Sequence, residues 1–164
     1  MTDIQASQSK GRLASARGFA NESRLLAALL ERGYNASRVD LPHSTYDILV
    51  ETNVHEIVRV QVKTVSKGKS VSFSGGSRGG ADRTYKSDVK SYVHSTLTAD
   101  AIVGVNCRTD NGDSEISFYI IPTMFIERIQ QKSLSINKLQ FAKNNWELLI
   151  RCKEREFVES IFGR

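Results

Sequence analysis

Glu22, Asp47, Gln61 and Lys63 are the residues of this chain whose types and spacing could do chemistry together. Gln61 and Lys63 stand two apart in "RVQVKT", so in a strand they share one face while Val58, Val60 and Val62 take the other. Asp47 lies in the preceding apolar run "YDILV", and Glu22 falls three residues after Phe19 and four before Leu26, on a helical stripe expected to face a sheet. Two carboxylates, an amide and an ammonium brought together could hold an oxygen-preferring divalent cation beside a phosphate. Taken singly, each has a plainer reading. Glu22 could be a rim carboxylate meeting water or an Arg, Asp47 a strand-edge residue, Gln61 a half-exposed polar group and Lys63 a solvated charge. It is the four together, after a helix and two strands, that weigh for a site.

The elements that must position them can be read from periodicity. Residues 17–32 form a helix, with Phe19, Leu26, Leu29 and Leu30 at helical spacing and Gly33 where the helix should stop. Residues 46–51 and 56–65 are strands joined by a polar turn at 52–55, and 70–74 is a third, short strand. Residues 99–107 and 115–121 are apolar strands around "RTDNGDS", whose Asn111–Gly112 pair signals a hairpin, and Pro122 ends the second of them. Between these sheet segments, 85–97 is expected to be a short helix. Residues 123–131 read as a helix capped by Thr123, and 145–162 as another, with Trp146, Leu149, Ile150, Phe157 and Ile161 near one face. The expected organisation is a flexible N-terminal arm over 1–16 and a single domain over 17–164, with a C-terminal helical extension from about 123.

Composition bounds the partners. A chain of 164 residues, 40% hydrophobic and 25% charged, is long enough for one well-packed domain. It has no apolar run near the roughly 20 residues that span a bilayer. No secretory stretch opens it, so a cytoplasmic protein without membrane contact is expected. Cys107 and Cys152 lack metal-ligand spacing and read as free thiols, and His43, His55 and His94 show no zinc pattern. No phosphate-binding P-loop is present, which argues against an ATP-driven motor. A net charge of +5 and a pI near 9.3 favour an anionic partner. Much of the excess sits in 66–90, where Lys67, Lys69, Arg78, Arg83, Lys86 and Lys90 face Asp82 and Asp88. A solvated Gly-rich loop would have the same composition.

Glu22, then Asp47 in "YDILV", then Gln61 and Lys63 in "QVK" resemble the PD-(D/E)XK nuclease superfamily, in particular its small bacterial and homing-endonuclease-like members. The resemblance spans residues 18–122, through "ADAIVGV" and "FYIIP". It implies an α/β restriction-endonuclease-like core, a mixed β-sheet flanked by helices in αβββαβ order. The implied activity is Mg²⁺-dependent DNA endonuclease action, with Mn²⁺ able to substitute, of homing or restriction type. Asp47, Gln61, the backbone carbonyl of Val62 and Glu22 would be the metal ligands, and Lys63 would orient water or stabilise charge on phosphate. Lys67, Lys69, Arg78, Arg83 and Lys86 would track the backbone of double-stranded DNA. A double-strand cutter would be a homo-oligomer, a dimer or tetramer. Two departures stand out: Tyr46 precedes Asp47 where the motif has Pro, and Gln61 replaces the usual acid, which removes a negative charge and weakens the hold on a metal. A Holliday-junction resolvase, or a catalytically silent nucleic-acid-binding module, would use the same fold.

Overall fold

The computed structural model describes residues 3–41, 44–52, 55–76, 91–110 and 113–162. A five-stranded mixed sheet carries the core, in the order β1-β2-β3-β7-β8. β1 (Asn35–Arg38), β2 (Ile48–Glu51) and β3 (Ile57–Thr64) run antiparallel in sequence order. β3 then pairs parallel with β7 (Ala101–Asp110), and β7 pairs antiparallel with β8 (Asp113–Pro122). Alternation decides the faces. Val58, Val60 and Val62 are buried on the side covered by α1 (Asp3–Glu31), which packs Leu25 and Leu29 onto the sheet and ties Asn21 to Thr64 by a 2.9 Å hydrogen bond. Arg59, Gln61 and Lys63 point to the other side.

A second layer covers that other side. β4 (Ser70–Ser72) pairs with β9 (Ser133–Ser135), and β5 (Ser74–Gly75) pairs with β6 (Tyr92–Val93). β4 lies so close to β7 that a Cβ at Gly104 would stand 2.5 Å from a methyl of Val71, so only glycine fits there. The chain closes with α2 (Thr123–Ile129), a 3-10 turn at Gln140–Ala142, α3 (Glu147–Ile150) and α4 (Arg155–Phe162). Among the described residues, no helix is long and apolar enough to cross a membrane.

Several expectations are corrected here. Residues 3–16, expected as a flexible arm, continue α1. Nothing between Asp3 and Arg17 forbids a helix, and one can propagate without a buried stripe, so hydrophobic periodicity finds the packed half alone. Within 85–97, residues 85–90 lie outside the described residues, and Tyr92–Val93 is a strand because β5 supplies its partner. The strand expected at 70–74 is two, β4 and β5, parted by fully buried Phe73. The helix expected at 145–162 breaks at 151–154, where Arg151 pairs with Glu147 and Glu154. Thr123 does not cap α2: its hydroxyl donates to the carbonyls of Ala99 at 2.8 Å and Asp100 at 3.0 Å. β1 and β9 were not foreseen, being short and polar.

Two buried polar groups link the layers. Asp100 accepts from the Arg59 backbone N–H at 2.8 Å and from its guanidinium at 2.8 and 3.1 Å. Asp100→Ala should therefore cost about 2 kcal/mol in urea unfolding, because it leaves the Arg59 amide without this acceptor and takes the carboxylate from a half-buried guanidinium that keeps only the Thr96 and Leu97 carbonyls. His94 is buried, with Nδ1 3.0 Å from the Thr98 hydroxyl and Nε2 without a partner among the described residues. Burial, and then the Lys63 charge, push its pKa down to about 4. The unfolded chain, with an ordinary His pKa near 6.5, thus binds the extra proton between those values. Stability should fall as pH drops from about 6.5 toward 4, by about 2 kcal/mol at pH 4.5. His94→Leu should lose that part of the pH dependence in paired urea titrations, since the Thr98 hydroxyl keeps its bonds to Ser95.

Candidate active site

The site begins where β2 and β3 part. Asp47 N–H makes the last bond of that pairing, to the Val60 carbonyl at 2.8 Å, while the Asp47 carbonyl accepts from Val39 on the β1 side at 2.8 Å. One step further along β3, the Val62 N–H and C=O project from the same edge with no β2 residue opposite them. The Asp47 side chain takes the place of the missing strand. Its Oδ2 accepts from Val62 N–H at 2.7 Å and from Gln61 Nε2 at 2.5 Å. The same Gln61 nitrogen lies 3.2 Å from the Val62 carbonyl oxygen. A carboxylate, a backbone carbonyl and an amide therefore meet at one point.

Lys63 follows on the same face of β3, and its ammonium donates to the Ser74 carbonyl at 2.8 Å. Burial lowers its pKa, and the negative charge of Asp47 acts in the opposite sense. Glu22 reaches the site from α1 without a hydrogen bond to Asp47. Its ion pair is with Arg38 at 3.2 Å. Burial and then the Asp47 charge raise the Glu22 carboxyl pKa, with Arg38 pulling it back. Asp47, Gln61, Val62 and Lys63 are thus brought together by direct contact or by sharing the β3 face. Glu22 is near enough to feel Asp47 but is held by Arg38.

The donor set suits a small, hard cation. Asp47 offers a carboxylate and Val62 a carbonyl, and an N–H donor already sits between those two oxygens. Gln61 would join them as a ligand through Oε1, reached by a half-turn of its terminal amide. Among the described residues, no group of three or more His, Cys, Asp or Glu side chains could hold a metal ion.

Some participants carried no readable signal in the sequence. Arg38 lies on the unforeseen β1, with its guanidinium stacked 4.1 Å over the Phe19 ring. Ser74 acts through its backbone. Gly75 beside it is wedged against Tyr92 and His94, where an added Cβ would stand 2.7 Å from the Tyr92 ring and 2.9 Å from His94 Nε2. That close packing fixes the carbonyl that Lys63 touches. Of the expected DNA-contacting residues, Lys67 and Lys69 lie on the turn after β3. Arg78, Arg83 and Lys86 lie outside the described residues.

No protein-family model and no curated protein matches the chain. Among solved structures, the chain is similar to a bacterial homing endonuclease, I-Ssp6803I, with a TM-score of 0.60 over 87% of this chain and 97% of that one. The two are 13% identical, so the likeness is one of fold.

Proposed function

We propose that this protein is a metal-dependent DNA endonuclease of the PD-(D/E)XK type, cutting double-stranded DNA as a homo-oligomer. The observation that carries the reading is the meeting of the Asp47 carboxylate, the Val62 carbonyl and the Gln61 amide at the β2–β3 fork, with Lys63 on the same face. Similarity of fold to a bacterial homing endonuclease supports it. Asp47, Val62 and Gln61 would hold Mg²⁺ or Mn²⁺, with Glu22 adding negative charge from α1. When bound, such a cation supplies Lewis acidity toward a phosphate oxygen and acidifies a water.

The chain's own groups do the rest. Lys63, half-buried and held by Ser74, presents an ammonium whose hydrogen bonds can orient the attacking water or meet charge growing on the phosphate. Arg38 keeps Glu22 from repelling the approaching phosphate. Each site cuts one strand, so a double-strand break needs two copies.

A silent binding module is favoured by one observation: an amide stands at Gln61 where the motif has an acid, and it donates to Asp47. Digestion of linear, supercoiled and four-way-junction DNA with Mg²⁺ separates a homing or restriction enzyme, a junction resolvase and a module that cuts none of them.

Asp47→Asn can still accept from Val62 N–H, so thermal melts should change little. Calorimetry should show weakened Mn²⁺ binding, and cleavage should disappear. Gln61→Glu should tighten Mn²⁺ binding by adding a carboxylate. Unchanged metal affinity in both variants would place the cation elsewhere.

Lys63→Ala should leave Mn²⁺ affinity equal or tighter, since a nearby positive charge is gone. Its cleavage rate on saturating DNA should drop about 100-fold or more, the range for removing one donor to a developing oxyanion. A wild-type rate would remove Lys63 from the chemistry.

A further inference from the structure

At the carboxyl end of β3, a groove of about 710 Å³ opens between α1, the turn leading to β4 and the outer half of β7. Arg17 and Arg24 enter it from α1, Lys67 and Lys69 from the turn, and Arg108 from β7, and among the described residues no Asp or Glu lines it. None of these five cations forms an ion pair among the described residues, whereas Arg38, Arg59, Lys143, Arg151, Lys153 and Arg155 each meet a carboxylate. Gathering five unpaired cations on one surface is repulsive in the free protein, and a polyanion relieves it.

The groove is built, not incidental. Asn21, 3% exposed, donates to the Thr64 hydroxyl at 2.9 Å and accepts from Arg24 at 2.8 Å, which fixes the Arg24 guanidinium at the groove wall. Lys67 and Gly68 both have left-handed backbones, with φ of 50° and 64°, in a tight turn closed by a Ser66 N–H to Ser70 carbonyl bond of 2.9 Å. Such a conformation costs a lysine about 1 kcal/mol, and Asn or Gly would sit there more easily. β7 also runs on past the last β3 partner, Val105, so among the described residues its edge at Cys107 and Thr109 has no strand neighbour on that side, and it lines the groove.

We propose that this groove grips the phosphate backbone of duplex DNA at a distance from the scissile bond, with Arg17, Arg24 and Arg108 sharing the contact with Lys67 and Lys69. The inference rests on the endonuclease reading for its ligand and deepens it. Lys63 and Thr64 are consecutive at the end of β3 with side chains on opposite faces, so the groove and the candidate active site flank the same strand end. Cations spread over three elements match a backbone that carries a charge every ~1.7 Å, rather than a single phosphate.

The test is fluorescence anisotropy of the full chain on a short labelled DNA duplex, without divalent cations, across a KCl series. Arg24→Ala with Arg108→Ala should flatten the log–log salt slope by about 1.8, and adding Arg17→Ala should bring the loss to about 2.7, at about 0.9 per phosphate contact. Lys138→Ala, away from the groove, should leave the slope and the cleavage as in the wild type. Thermal melts guard against unfolding. An unchanged slope in the double and triple variants overturns the groove, even if the wild type cleaves DNA. A flattened slope in a protein that never cleaves with Mg²⁺ keeps the groove and overturns the endonuclease reading instead.

Discussion

The bond from Val62 N–H to the Asp47 carboxylate is the constraint on which the rest of the site depends. A sheet cannot leave a buried amide unpaired without a penalty of a few kcal/mol, and β2 leaves β3 at the point where Val62 needs a partner. Asp47 meets that need with one carboxylate oxygen. The bond orients the carboxylate and sets it beside the Val62 carbonyl, since N–H and C=O of one residue leave a strand on the same edge. The packing that keeps β3 straight at this point comes from β7 on its other side, which continues the pairing to Thr64. A fork in the sheet thus produces a polar notch with fixed walls.

The charges around the notch are balanced in pairs. Lys63 is drawn down in pKa and Glu22 up, each first by burial, and Asp47 acts on both, favouring the Lys63 cation and opposing the Glu22 anion. Arg38 offsets the second effect. Removing either cation would leave the two half-buried carboxylates with one positive neighbour instead of two, which raises the cost of keeping both ionised. Ser74 and the wedge of Gly75 against Tyr92 and His94 matter for the same reason. They position the Lys63 ammonium through a backbone carbonyl, which neither titrates nor swings away.

The alternation of Val58, Val60 and Val62 with Arg59, Gln61 and Lys63 made the two faces of β3 legible, because a strand's period is two and one face must be apolar. Asp47 was legible as a polar residue opening an apolar strand, and the 107-to-115 turn as a hairpin. Other parts depend on tertiary contact and leave no periodic trace. β1 is four residues, three of them polar, held by β2, so Arg38 and its grip on Glu22 could not be seen. The β5–β6 pair is too short to show alternation. Arg17 and Arg24 lie on one helix far in the chain from Arg108, and a charge count weighted to residues 66–90 passed over them.

Gln61 gives the arrangement its particular character. An acid at this position would add a further negative charge beside Asp47 and Glu22, and the Val62 carbonyl would face it with no donor between them. The notch would then need a cation to be stable at all. The amide changes that balance, because its N–H₂ bridges the Asp47 and Val62 oxygens in the fold described here. On the proposed reading, a metal must displace those hydrogen bonds and turn the amide before Gln61 can serve as a ligand, so part of its binding energy is spent on rearrangement. The expected result is a protein whose fold tolerates the absence of metal and whose affinity for it is modest.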